Sequence, residues 1–506
     1  MKRIFNLLML LVAIVALTTG CKPNEPDGPK PPKKEENPHQ YVNDWIFKEM
    51  NVYYLWNEKI PKSPDYTLDP KAFFSSLLYK FDKTTNPNGD RFSWIQENYV
   101  DLLNSLSGVK ADEIGFEFVR VGVGKTDQYY LLVLYPKRGS DAEAKGIKKG
   151  RFVIKIDGQD ITKTNISTLT SGTGSKTLTM ADWFFDEAEN KYKLGISGDV
   201  TVQMHKDFAE NPVYLDSVYT TANNTKVGYL VYNFFAGDKG DGTRSYDVKM
   251  LNTLKKMKNE GGMTELILDL RYNGGGALSS AIALASALKP NRSSSEIFSY
   301  ARYNDLVQSS LEQKYGSDFA TDYFIDNLKD SKGTVLAEIP SLGLQKLYVI
   351  TSQWTASASE MIINGLRPYL EIVIVGETTV GKNVGSVSFY KENDPNNKWG
   401  MQPIIAKFYN SKGESDYTAG FVPQHEVHEL DNNLMLVEFG DIKDKMLNKA
   451  LNVIDPSMSQ VPPARAPRMD SKLRMSVTKS ASMLENPTKT TLNDDVRGKA
   501  FREMMK

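Results

Sequence analysis

Glu265-Leu266-Ile267-Leu268-Asp269-Leu270-Arg271-Tyr272-Asn273-Gly274-Gly275-Gly276 decides the fold class. Its first half is a short apolar run, the pattern of a strand buried on both faces. Three glycines end that strand, and a helix is expected from Ala277 to Leu288. The same order recurs downstream. Lys346-Leu347-Tyr348-Val349-Ile350 reads as a strand and Ala358 to Leu366 as a helix that Pro368 stops. Glu371 to Val375 is another buried strand, and Val227-Gly228-Tyr229-Leu230-Val231 one more upstream. This alternation predicts an α/β domain over residues 225–455, with reactive groups at the strand ends.

The rest of the 506 residues is too much for one core, so several domains are expected. Residues 40–106 place Trp45, Phe47, Tyr53, Tyr54 and Trp56 at helical spacing and predict a small helical unit whose aromatics pack its core. Residues 107–206 are β-rich. Gly115-Phe116-Glu117-Phe118-Val119-Arg120-Val121 alternates like a strand, Tyr129 to Leu134 reads as its partner, and Asp141 to Ala144 suits a short helix. Arg151 to Ile156 is a strand closed by Asp157-Gly158, a strong hairpin signal. The stretch between Asn291 and Pro340 reads as an insert, a lid or a surface excursion. Residues 456–506 are polar, carry Pro462, Pro463 and Pro467, and read as a mobile tail without assigned function.

Composition narrows the chemistry. Lys+Arg and Asp+Glu are both 62, so no polybasic surface for nucleic acid is implied. The one cysteine, Cys21, allows no intramolecular disulfide and no cysteine metal cluster. Lys2 and Arg3 precede an apolar run from Ile4 to Leu17, then Thr18-Thr19-Gly20-Cys21. That is a secretory signal, too short to span a membrane comfortably. It resembles a bacterial lipoprotein signal over residues 1–21, which implies cleavage and lipidation at Cys21. Residues 22–39, rich in Pro, Lys, Glu and Asn, then form a disordered tether. The expected location is the cell envelope, anchored to a membrane on the periplasmic side or at the outer membrane.

Three short stretches carry the candidate chemistry. Thr355-Ala356-Ser357-Ala358-Ser359-Glu360 joins a strand to a helix, where backbone N–H groups stabilise negative charge; serine is also a common helix cap. Glu377-Thr378-Thr379-Val380-Gly381-Lys382 follows a buried strand. A lysine there acts as a base only if apolar walls keep it neutral. The glycines after Asn273 leave N–H groups unshielded for a developing oxyanion.

Together these stretches resemble the C-terminal processing (tail-specific) peptidases, the S41 serine peptidases. The motifs are Asp269-Leu270-Arg271-Tyr272-Asn273-Gly274-Gly275-Gly276, Ser357-Ala358-Ser359-Glu360 and Gly381-Lys382, in family order and spacing. The resemblance implies a multidomain α/β protein: a small helical N-terminal unit, a PDZ-like β-rich domain and a ClpP/crotonase-like α/β peptidase domain. It implies Ser357 as nucleophile and Lys382 as general base, with an oxyanion hole from the amides of Ala358 and of Gly275 or Gly276. It implies neither metal nor cofactor. Family members often place Gln four residues after the lysine to orient it; here Ser386 stands there, and Glu360 is the other candidate for that role. Ser359 is expected to pack the helix. The β-rich segment resembles a PDZ domain. Its Glu113-Ile114-Gly115-Phe116 loop is the match for one whose amides take a peptide's terminal carboxylate. Partners would then be proteins or peptides with free C-termini, recognised at Ile114, Gly115 and Phe116 and cut near their ends.

Three rivals are weighed. Gly376 to Lys382 has phosphate-loop spacing, but Asn383 replaces the metal-binding hydroxyl and Val384 to Tyr390 reads as a strand. His425 and His428 suggest a Ser-His-Asp triad, yet they sit in a turn-like run and read as surface residues. The loss of Gln at Ser386 motivates the third, a weak or inactive peptidase body serving as a PDZ scaffold.

Overall fold

The structure is a computed structural model that describes residues 37–430, 434–458, 475–481 and 492–504. The expected signal, Cys21 and most of the tether lie outside them.

The apolar runs form one six-stranded sheet. Its order is Val213–Thr220, Lys226–Tyr232, Glu265–Asp269, Lys346–Thr351, Glu371–Gly376 and His425–Glu426. The first pair is antiparallel and the rest are parallel. Successive side chains point to opposite faces of a strand. Leu266, Leu268, Leu347 and Val349 therefore join one core with helices Ser245–Asn259, Leu278–Leu288 and Ala358–Leu366. Ile267, Tyr348 and Ile350 join another with helix Lys445–Ile454. Leu278–Leu288 is buried almost all round, which explains its lack of a polar face. The sheet begins at Val213, earlier than the boundary at 225 expected from sequence, because Val213–Thr220 pairs along the edge of Lys226–Tyr232.

A second six-stranded sheet carries the other half of the site. Its order is Gly276–Ala277, Leu492–Asn493, Val384–Ser386, Ile404–Tyr409, Ile297–Tyr303 and Thr321–Tyr323. Two expectations are corrected here. The insert after Asn291 is no loose excursion: it supplies two of these strands, and Phe298, Ala301, Val307 and Leu311 enter the main core. The end of the chain is not a free polar tail either. Leu492 and Phe501 are buried, and Arg497 pairs with Asp322 and Asp494 inside the protein. Charge in that segment disguised a buried ion network as solvated surface.

The β-rich domain forms a seven-stranded sheet in the order Met475–Ala481, Phe116–Val123, Gln128–Pro136, Gln159–Thr162, Phe152–Ile156, Ser175–Asp186 and Lys191–Gln203. Asp157 and Gly158 both take positive φ, 51° and 73°, the geometry of the predicted tight hairpin. Val119, Val121, Leu132 and Leu134 join the same core as Ile267, Tyr348 and Ile350 of the first sheet. The N-terminal unit holds helices Gln40–Tyr53, Pro70–Leu77 and Tyr99–Leu106. The last two are capped by the side chains of Asp69 and Asn98.

A buried ion network joins the β-rich domain to the strand end. Arg271 donates to Asp269, Asp444 and Glu429. Lys149, from the β-rich domain, donates to the same Glu429 oxygen, and Tyr272 to the other. Burial pushes Glu429 up, but Lys149 and Arg271 overcome it and hold the carboxyl at about 2. Removing one member of such a network strands the others in low dielectric. Lys149→Met should lower the unfolding free energy by about 3 kcal/mol in urea titration. Adding Glu429→Gln should restore part of that loss, so additive effects would contradict a shared network.

Candidate active site

Glu360 organises the site. It lies in the first turn of Ala358–Leu366 and is fully buried. Its Oε2 accepts the Ser357 N–H at 2.8 Å and the Lys382 N–H at 2.7 Å. Its Oε1 accepts the Gly381 N–H and the Thr379 hydroxyl, both at 2.6 Å. Burial raises the Glu360 carboxyl, and these four donors oppose the shift. Ser357 and Lys382 are thus held to one oxygen atom by their backbones.

Ser357 is buried and takes φ 63°, a left-handed conformation costing a non-glycine residue on the order of 1–3 kcal/mol. Among the described residues its Oγ forms no hydrogen bond to the Lys382 amine. Ser359 packs as expected, donating to the Asn273 carbonyl at 3.0 Å.

Lys382 is also buried. Gly381 before it takes φ 88°, and a Cβ there would lie 2.2 Å from the Thr418 carbonyl oxygen, so only glycine allows the turn. The amine sits 4.8 Å from the centre of the Phe92 ring. Burial drives its pKa down to about 7; Asp90 and Glu360 resist, and Arg91 adds to the fall. A neutral amine near physiological pH is what a general base requires.

The glycine loop lies alongside. The Ala356 N–H donates to the Asn273 carbonyl at 3.2 Å and joins the two strand ends. Gly276 takes φ 137°, and its Cβ would sit 2.0 Å from the Phe235 carbonyl oxygen. The Gly275 N–H is occupied by Asn273 Oδ1 at 2.9 Å. The Ala358 amide opens the helix. Ser386 Oγ donates to the Leu492 carbonyl at 3.4 Å, in the strand that the chain's end inserts.

At the β-rich domain, Ile114 and Phe116 point into the core with Ala142 and Ile147. Gly115 takes φ 92°, and its N–H donates to Glu113 Oε1 at 3.0 Å. Lys110 and Lys137 pair with that carboxylate. His428 bonds Glu377 at the surface, and His425 lies on the edge strand. Val384–Ser386 is a strand, not the helix a phosphate loop opens.

The N-terminal unit also reaches the site, which sequence reading had treated as core packing only. Arg91 Nη2 donates to the carbonyls of Val380, Gly381 and Thr418 at 2.9, 3.2 and 3.0 Å. Asp90 Oδ1 accepts the Phe92 and Ser93 N–H groups, and Oδ2 accepts the Tyr54 hydroxyl at 2.8 Å. No spacing signal could reveal the Arg91 contacts, since 289 to 327 residues separate the partners.

A buried serine at a helix start and a buried lysine, their backbones held by one carboxylate at the strand ends of an α/β body, are the residue types that serve hydrolases as nucleophile and base. The chain belongs to peptidase family S41: the Peptidase family S41 model matches residues 226–427, and the Peptidase S41 N-terminal domain model matches residues 41–94. It is 24% identical to the carboxy-terminal processing protease CtpA of Bacillus subtilis over 64% of this chain, which spans 59% of that relative's length. It is 26% identical to the carboxyl-terminal-processing protease of Picosynechococcus over 71% of this chain and 76% of the relative. A crystal structure from Bacteroides fragilis, described as an S41 protease, superposes with TM-score 0.65 at 25% identity, covering 86% of this chain and 99% of that one.

The depressed amine has a stability consequence. An unfolded lysine holds its proton to near 10.5, so between pH 7 and that value the unfolded chain binds more protons. Stability attributable to Lys382 is lowest at and below pH 7 and recovers as pH rises toward 10.5. Lys382→Met should therefore be the more stable protein at pH 7, by about 4 kcal/mol, with the gap closing toward pH 10. A gap independent of pH, measured by urea titration, would refute the buried neutral amine.

Proposed function

We propose that the chain is a serine endopeptidase in which Ser357 attacks the scissile carbonyl and Lys382 is the general base. The neutral amine takes the hydroxyl proton as the Ser357 Oγ–carbon bond forms. The developing oxyanion is met by the amides of Ala358 and Gly276; the Gly275 amide could join them only by leaving Asn273. The ammonium then returns its proton to the leaving amine, and water cleaves the acyl-enzyme. The observation that carries this proposal is the Glu360 carboxylate holding both backbones on one oxygen. The unformed hydroxyl–amine bond is compatible with it, because catalytic hydrogen bonds often close only when substrate binds. Glu360 would act on the backbone of Lys382, leaving the orientation of the amine to other groups.

We further propose that the β-rich domain selects chains by their C-termini, as a PDZ domain does. The strand order and the Gly115 turn support this. Two groups already stand where a peptide would bind: Glu113 on the Gly115 amide, and Met475–Ala481 on the outer edge of Phe116–Val123. A substrate strand would displace both.

Casein and a peptide with a free C-terminus should be cut by the wild type, with loss of at least a hundredfold in Ser357→Ala and Lys382→Ala. The free carboxylate should be preferred over its amide. Equal rates for the two peptides would remove the capture step while leaving the peptidase. No cleavage of any unfolded chain would favour the inactive scaffold.

The location proposed is a membrane of the cell envelope, through lipid on Cys21. Cys21→Ala should move the protein from the membrane to the soluble fraction; an unchanged distribution would refute the anchor.

A further inference from the structure

The lysine's surroundings come from three parts of the chain. The helix after Ser357 supplies Glu360. The loop before Lys382 is closed against residues 417–420, where Tyr417, raised by burial, faces Glu360. The third wall is the Asp90-Arg91-Phe92 turn of the N-terminal unit. Phe92 lays its ring against the Lys382 amine, and its own N–H is fixed by Asp90. Asp90 is itself buried and held by Tyr54, whose hydroxyl also accepts the Tyr79 N–H. Arg91 spans from the same turn to three carbonyls on both sides of the lysine loop.

We propose that Asp90 and Arg91 are positioning residues for Lys382: Asp90 fixes the turn whose Phe92 ring lies against the amine, and Arg91 ties down the loop that carries it. The proposal rests on Lys382 being the base. It assigns the N-terminal unit a part in catalysis that its helical core does not explain. A lysine buried away from water is driven toward the neutral form. Asp90 limits that drive, so the amine stays basic enough to take a proton from a hydroxyl. Arg91 works in the other direction by charge, yet its hydrogen bonds fix where the lysine backbone runs.

The two charges make opposite predictions, which a merely structural role would not. Asp90→Asn keeps the acceptor for Phe92 and Ser93, and its amide can donate to the Tyr54 oxygen. Loss of the negative charge should lower the amine pKa. The acid limb of the kcat/KM profile should then move to lower pH, by about one unit. Arg91→Met should move the same limb slightly upward and lower kcat severalfold through the loosened loop, with Arg91→Lys restoring the limb and part of kcat. Thermal melts run alongside. If Asp90→Asn fails to fold, the Arg91 pair decides alone. Acid limbs that superpose on wild type, or that move the same way in both variants, overturn the proposal while an inactive Ser357→Ala leaves the serine–lysine mechanism standing. An active Lys382→Ala would instead overturn the mechanism itself.

Discussion

A carboxylate sealed from water cannot stay without donors, and Glu360 has four. Each comes from a backbone or hydroxyl that must be at one point in space for the burial to be tolerable. The helix start and the lysine loop are therefore locked together by the cost of leaving that group unsatisfied. Ser357 is driven into a left-handed conformation and Gly381 into a turn only glycine can make. Strain at Ser357 persists because the surrounding bonds over-determine it.

Both accessory domains are fastened to this arrangement, each by a basic residue. Lys149 reaches from the β-rich domain to Glu429, and so to Arg271 at the end of the central strand. Arg91 reaches from the N-terminal unit to the carbonyls flanking Lys382. The first contact is buried and ionic, costly to break because a charge would be stranded. The second is made to carbonyl oxygens, so it fixes position without neutralising a charge. Glycine loop and lysine loop are thereby held by separate domains.

The chain also completes its own sheets. Leu492–Asn493 fills the gap between Gly276–Ala277 and Val384–Ser386, bridging the two strands that carry the glycine loop and the stretch after Lys382. Met475–Ala481 covers the edge of Phe116–Val123. Unpaired strand edges invite pairing with other chains, and an internal strand blocks that. Of two segments late in the chain, one is therefore part of the α/β body and the other of the β-rich domain.

The sequence alone determined the strand–loop–helix units and the glycine turn after Asn273, and through a family resemblance it marked Ser357 and Lys382 as candidates. Those features are local: apolar runs set buried strands, and helix caps and glycines mark their ends. Glu360 was legible as a neighbour of Ser357 because one helical turn separates them, but its grip on the Lys382 backbone was not. Asp90, Arg91 and Lys149 carried no signal in the sequence, and Asp494 and Arg497 fell in a stretch that reads as a polar tail. Only tertiary structure decided otherwise, because a charge's partner across hundreds of residues is chosen by how sheets and domains close, and no periodicity in the chain encodes that distance.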